Sequence, residues 1–449
     1  MAQNSRPHWD RLPSIIMIKI FSYLKPKDRI NASVVCKDWR QAYFHPLFWK
    51  NITFLFNNKK TAPWSRYLAD RFALSVEKAT VKCDINCCIE LACLLENLCR
   101  SRNLRKLMIE PSLSTSQWVN GFLDLHENET LSKSIHLSII SIIKNTKRLE
   151  TLTLGCVEDI TLFAREILEC LSSYHSEHLT HLGLASVKEI PDNYKVISLD
   201  SLVFNNFKHL TILTIDYDHL NDILLDSFTT GTLERLVVHV HDWHQNRGAS
   251  NRSWILFTHN NPRCEMRINF LHAYAAILYA HSDILKPAMP LTHFKALFCE
   301  KVNVRVMYAL VAYYYRTLRS VIWIDSINEE ELFPPSDAQS NPDGLVFIAW
   351  RCFRLEELVY IGHKYFPQNM LAIARLRGDT LQKCEFSEND MMNESDTSYK
   401  LEEIYREINK ILGAKWKIYS YWDLLPVLTD PFKGDSRDVI MPLIIDDVK

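Results

Sequence analysis

The sequence predicts an α/β chain, a short all-helical module at the front followed by an irregular solenoid of strand–turn–helix units. Three observations predict it. Apolar residues stand four apart in residues 12–24, a six-residue phrase led by leucine recurs nine times between residues 104 and 386, and only 10 of 449 residues are glycine. So little glycine argues against glycine-loop nucleotide folds and tight-hairpin sheets.

A chain of this length builds either two or three globular domains or an elongated repeat array. Apolar residues make up 47% and charged residues 23%, which supports a large core rather than disorder. Lys and Arg total 52 against 53 for Asp and Glu, leaving no broad positive field for nucleic acid. The opening MAQNSRPHWD lacks the basic start and apolar run of a secretory leader, and no apolar run reaches about 18 residues. These features place the protein inside the cell, in cytoplasm or nucleus, without a membrane partner. The 12 cysteines are then expected to be free and mostly buried.

In the front module, LPSIIMIKIFSYL places Leu12, Ile16, Ile20 and Leu24 on one helical stripe, widened by Ile15, Phe21 and Tyr23. Pro13 and Ser14 suit the helix start, and Pro26 stops it. Asp28 is expected to cap a second helix carrying Ile30, Ala32, Val35, Cys36 and Trp39, and His45–Trp49 reads as a turn with anchoring side chains. About 40 residues have too little interior for this many apolar groups. Two fates are open to the surplus: a partner surface, or the body behind the module.

The residue order Leu12-Pro13, Ile20-Phe21, Leu24, Asp28, Ala32, Val35-Cys36, Trp39, Leu47 and Trp49 resembles the F-box. That module attaches substrate receptors to the SKP-type adaptor of cullin–RING ubiquitin ligases. The resemblance implies adaptor docking, or the fold that presents it, at Leu12, Pro13, Ile20, Leu24, Val35 and Trp39. The matching Phe21, Cys36, Leu47 and Trp49 join them as candidate adaptor-binding residues. One departure is the apolar run IIMI after Pro13, where many members carry an acidic residue.

Behind the module the phrase LRKLMI at 104 is followed by LETLTL at 149, LTHLGL at 179, LTILTI at 210 and LERLVV at 233. Looser copies are LTHFKA at 291, LRSVIW at 318, LEELVY at 355 and LQKCEF at 381, and CEMRINF at 264–270 alternates like one more strand. In LxxLxL the last two leucines share one side of an extended strand while the first packs the approach turn. Helix-like stretches lie between, at 161–172 and from Asn221, where Asn or Asp begins the turn. The pattern resembles the leucine-rich-repeat class, which implies a horseshoe-like solenoid. The usual Asn or Cys three positions after the last Leu is missing from most copies, and Asp218 stands there after Ile215.

Together, module and repeats are similar to the F-box/leucine-rich-repeat receptors, particularly the divergent F-box only proteins. The resemblance implies a substrate-recognition subunit of an SCF-type E3 ligase that is not itself catalytic. Its partners would be the SKP-type adaptor, through it cullin and RING subunits, and an unidentified protein substrate. A repeat-based scaffold that binds the adaptor without directing ubiquitination is the alternative. The expected divisions are the F-box at 8–50, a linker and leading cap at 51–100, degenerate repeats at 101–398 with a loop insertion at 325–344, and a capping segment at 399–449.

No cofactor or metal is expected. The five cysteines of CDINCCIELACLLENLC lack paired C-x2-C knuckles and alternate with Leu91, Leu94, Leu95 and Leu98 at helical steps, as small core residues would. His239, His241 and His244 in HVHDWH offer the one metal-hydrolase alternative. An exposed rim loop is the preferred reading there, with His241, Trp243 and His244 as candidate substrate-binding residues and Trp243 as an aromatic anchor. Asp216, Asp218 and Asp222 are expected to face solvent at a repeat exit and to supply helix caps.

Overall fold

The computed structural model describes residues 12–56, 61–83, 87–111, 125–156, 158–188, 197–241, 248–327, 343–392 and 398–448. The chain divides into two compact units, Met1–Ser112 with Lys133–Leu149, and Leu113–Ser132 with Glu150–Lys449.

In the first unit α1 spans Ser14–Tyr23, α2 Pro26–Ser33 and α3 Lys37–Tyr43. Pro26 does more than end α1. It opens α2 from its first turn, where the missing N–H costs nothing. Lys25 rather than Asp28 is the N-cap, and Asp28 lies in the first turn, where the helix dipole favours an acid. The expected second helix is really two, with the stiff β-branched pair Val34-Val35 standing at the break.

Three parallel strands follow in this unit: β1 (Asn51–Phe56), β2 (Lys78–Cys83) and β3 (Lys106–Pro111). Burial alternates along β1, with Ile52, Phe54 and Phe56 inside. Helix α4 (Ala62–Phe72) connects β1 to β2, and α5 (Cys88–Leu98) connects β2 to β3. Residues 51–100, expected as a linker, therefore contain two strands. NITFLF reads in the sequence as a short strand at 52–56, and β1 is that strand, whereas KATVKC has no leucine phrase and β2 could not be found from spacing. Helix α6 (Leu125–Asn145) places Ile135, Ile139, Ile142 and Ile143 in this unit's core.

The second unit is a repeating strand–helix solenoid with an open parallel sheet. Its strands are β4 (Thr151–Thr153), β5 (His181–Gly183), β6 (Ile212–Asp216), β7 (Arg235–Val240), β8 (Glu265–Leu271), β9 (Leu291–Leu297), β10 (Ser320–Ile324), β11 (Glu357–Ile361), β12 (Lys383–Ser387) and β13 (Trp416–Tyr419). Each pairs in parallel with the next in chain order.

The leucine phrase explains this regularity. All nine leading leucines, from Leu104 to Leu381, are at most 1% exposed. At the second position of the phrase a backbone ladder crosses the repeats: Thr211 N donates to Thr180 O at 2.7 Å, Glu234 N to Thr211 O at 2.8 Å, Glu265 N to Glu234 O at 2.8 Å, and Gln382 N to Glu356 O at 2.7 Å. The Thr180, Thr211 and Thr292 hydroxyls reinforce it by donating to Glu150 O, Thr180 O and Met266 O. CEMRINF joins the ladder through Glu265, and its pairing with β9 shifts register between Met266 and Arg267.

The strand exits carry a second device. Asp216 accepts from Ser186 N, Asp325 from Glu300 N and Asp390 from Gly362 N, each carboxylate reaching the turn of the preceding repeat. These buried acids do what an Asn ladder would do. Asp216 holds this place, not Asp218, so the expectation of a solvent-facing Asp216 is corrected. Asn221 caps the helix Asp222–Asp226 through Leu224 N at 2.8 Å, as its position suggests.

Gly362 is the glycine this scheme requires. Its φ is +87°, and an added Cβ would collide with the backbone of Asp325. Gly362→Ala is expected to cost more than the roughly 1–2 kcal/mol of a left-handed backbone alone, read as a lower urea midpoint with an unchanged slope.

Candidate interaction surfaces

The front module has a very small core. Met17, Phe21 and Ala42 are buried, and Leu12, Ile20, Leu24, Trp39 and Phe48 pack around them half-covered. Phe21 is the central ring, edge-on to Trp39 at 5.9 Å, so it supports the surface and does not form part of it. Trp49 also turns inward. Its Nε1 donates to Tyr43 O at 3.0 Å and its ring stacks on Phe72 at 4.9 Å, which ties the module to the helix that follows β1.

What remains outside is strongly apolar. Ile15 is 75% exposed, Tyr23 79% and Val35 64%, with Ile16, Ile30, Val34 and Leu47 also exposed. The residue order pointed to Val35 and Leu47 among these. It did not single out Ile15, Tyr23, Ile30 or Val34 as surface residues, because stripe periodicity separates two helix faces without saying which one the small core claims. The IIMI departure itself supplies Ile15 and Ile16 to the outside and Met17 to the core.

The second surface is the open face of the sheet in the second unit. Alternate residues of each strand line it, and the pairing sets them in lateral rows: Asp216, His239, Asn269, Lys295, Ile322 and Val359 form one. The row is polar at its β6–β9 end and aliphatic at β10–β11. Residues 426–448 cross this face. Val427, Leu428, Val439, Ile440 and Ile444 join Leu271, Leu297, Ile322, Ile324, Val359 and Ile361 in one buried cluster. Gly183 on β5 leaves room for the crossing, since a Cβ there would touch Val448. The segment expected only to cap the last repeat thus begins as one, adding β13 to the sheet edge, and then returns across the open face.

The polar end of the row grips the last helix, Arg437–Val448. Lys295 Nζ lies 2.6 Å from Asp447 Oδ2, Arg267 Nη1 2.8 Å from Oδ1 and Asn269 Nδ2 3.0 Å from Oδ2. Lys295 Nζ also donates to Leu443 O at 2.6 Å and Arg235 Nη1 to Asp447 O at 3.1 Å, so two cations meet the carbonyl end of the helix, where its dipole is negative. Burial alone raises the Asp447 carboxyl, but Lys295 and Arg267 outweigh it and hold the group below its usual range.

The expected rim loop is only partly visible. Trp243 and His244 lie outside the described residues. His241 is not on an exposed loop: it is buried, with Nε2 3.4 Å from Asp216 Oδ1. His239 is buried too and donates from Nδ1 to Ser186 O at 2.8 Å, its imidazole pKa lowered by burial. Alternation extends one residue past β7, and this carries His241 inward with His239. A small cleft of about 20 Å³ opens beside Asp216, lined also by Ser186, Lys188, Asp218 and His219. Its charges face each other, with Lys188 Nζ 3.9 Å from Asp218 Oδ2. Among the described residues no group of three His, Cys, Asp or Glu is placed to hold a metal ion. In the cysteine-rich stretch Cys83 is buried along with Leu91, Leu94, Leu95 and Leu98, Cys87 and Cys99 are half-buried, and Cys93 is exposed. Most of the 325–344 insertion is outside the described residues, and no described helix is long and apolar enough to cross a membrane.

The grip on the last helix is expected to loosen with acid in two stages. Burial lowers the pKa values of His272, which faces Ser436, and of His293 beside Arg267 from 6.5 to about 4. An unfolded chain takes up those protons first, so the stability of keeping both neutral is lost as pH falls from 6.5 toward 4. Asp447 has the opposite charge but the same sign of effect: its contribution is complete above 3.8 and is lost as pH falls through its lower folded value. Hydrogen exchange of residues 437–448, corrected for intrinsic rates, should quicken below pH 6.5 and again below about pH 4.

Residues 9–55 match the F-box-like family. F-box only protein 33 of Homo sapiens is 24% identical over 489 residues, covering 95% of this chain and 86% of that protein. F-box/LRR-repeat protein 21 of Mus musculus is 23% identical over 455 residues, covering 93% and 90% respectively. A chain in the crystal structure of the Rad7 and Elc1 complex in yeast overlays loosely, with a TM-score of 0.40 and 13% identity, covering 86% of this chain and 90% of that one. The chain thus carries an N-terminal F-box domain followed by a repeat-like solenoid body, an organisation consistent with an F-box/leucine-rich-repeat protein.

Proposed function

We propose that this protein is the substrate-recognition subunit of an SCF-type cullin–RING ubiquitin ligase. Its F-box docks on the SKP-type adaptor and its solenoid holds a protein partner. One observation carries the reading: a module whose core is three buried side chains keeps a ridge of large apolar residues, Ile15, Tyr23, Val34 and Val35 among them, in water. Each such side chain contributes roughly 1.5–3 kcal/mol when an interface covers it, before association costs. The relatives' names support the same reading.

On this proposal the chain performs no bond chemistry. It holds a partner's lysines near a carrier enzyme brought by other subunits, raising their effective concentration. The candidate docking residues divide by burial. Pro13, Val35 and Leu47 are exposed and available for contact, and Leu12, Ile20, Leu24, Cys36 and Trp39 are half-buried, shaping the ridge from beneath.

Val35→Glu puts a charge on the ridge without touching the core. It is expected to weaken binding of a SKP-type adaptor at least tenfold, about 1.4 kcal/mol, with an unchanged melting temperature. Failure of the folded, unaltered protein to bind the adaptor would overturn the reading. Adaptor-dependent ubiquitination of a captured partner would separate a receptor from a scaffold that only binds the adaptor.

A further inference from the structure

The open face of β7–β9 gathers positive side chains around Asp447, with Glu265 of β8 beside Arg235 and 3.0 Å from Arg319 Nη1. Arg235, Arg267 and Lys295, with the Asn269 amide between them, converge from three neighbouring strands on Asp447. Beside this polar corner lie Leu271, Leu297, Ile322 and Ile324, against which Ile440 and Ile444 pack. Ile440, Ile444 and Asp447 stand four and three residues apart, one stripe of a helix. The face therefore reads a simple pattern: two branched aliphatics and a carboxylate one turn further on, at the carbonyl end of a helix.

The present occupant is attached as a ligand would be and not as a repeat is. The repeats are joined strand to strand by backbone hydrogen bonds, whereas the bonds that bring the last helix to β7–β9 come from side chains of the sheet. Pro442 inside the helix removes one of its own backbone bonds and weakens it as a free-standing element. Gly434, at φ +106°, forms a turn just before it, and the connection from β13 leaves Trp422 89% and Phe432 95% exposed. The segment is anchored upstream, where Ile327 N donates to Leu428 O at 2.8 Å, so the helix beyond Gly434 has its own separate hold.

We propose that this face is a receptor site for an acidic, aliphatic helical segment of a partner protein. In the free chain the site is filled by residues 437–448, which the partner displaces. The inference deepens the receptor reading and rests on it only in taking the bearer of the helix to be a partner protein. Peptide exchange at the face tests the site, and adaptor binding tests the other reading independently.

The probe is a fluorescein-labelled peptide of residues 434–449, used with the full-length chain. Asp447→Lys in the chain turns its own helix away from Arg267 and Lys295. That variant is expected to bind the peptide at least tenfold more tightly than the unaltered chain does, while a peptide carrying Asp447→Lys binds neither. In the unaltered chain, excess peptide is expected to speed hydrogen exchange of the chain's own residues 437–448. The proposal is overturned if the folded Asp447→Lys chain leaves the peptide free, or if both peptides bind alike. It is equally overturned if residues 437–448 exchange only when the whole second unit unfolds. Should Asp447→Lys fail to fold by circular dichroism, the exchange experiment on the unaltered chain decides between the same two results.

Discussion

The repeat body depends on one constraint, a leucine buried at most of the points where the chain turns back into a strand. Full burial of such a side chain contributes roughly 1.5–3 kcal/mol, and it fixes where the strand begins. That fixes everything downstream. The backbone ladder at the second position then falls into line, and the following residues divide by parity between a helix-covered face and an open one. A slip of one residue would put Arg267 and Lys295 into the aliphatic interior. The exit carboxylates Asp216, Asp325 and Asp390 close three of the turns at the other end, so those repeats are tied to a neighbour at both ends.

The two surfaces solve the problem of uncovered apolar groups differently. The F-box ridge leaves them in water because a core of three side chains cannot recruit more. The open face of the sheet covers them with the chain's own last helix and adds a buried ion cluster. Such a cluster gives back much of its attraction in desolvation and contributes register more than strength. It selects which helix lies there and how deep, while the aliphatic residues supply the adhesion.

Much of this was legible in the residues. Leucine phrases marked most of the strands, because the burial of the first leucine is a local requirement repeated at each turn. Helical spacing found α1, the helix Ala164–His175 and the Asn221 cap. The rest was hidden for identifiable reasons. β2 lacks the phrase and is held by alternation alone. Alternation in RLVVHVH is visible, but it does not reveal that the row containing His239 and His241 is covered. The contact of Asp447 with Arg267 spans 180 residues, and no local pattern encodes it. A signal did exist: Arg267, Asn269 and Lys295 occupy every second position of strands otherwise rich in aliphatics. Charge in that alternating place is a sign that something polar will lie across the sheet.

The ladder at the strand entries is made of amide and carbonyl groups that every amino acid possesses. Such a joint is blind to side-chain identity, apart from the single leucine that aims it. Over long divergence a body built this way can exchange nearly all of its outward letters and keep its stacking, while the faces that meet other molecules are free to change from one lineage to the next.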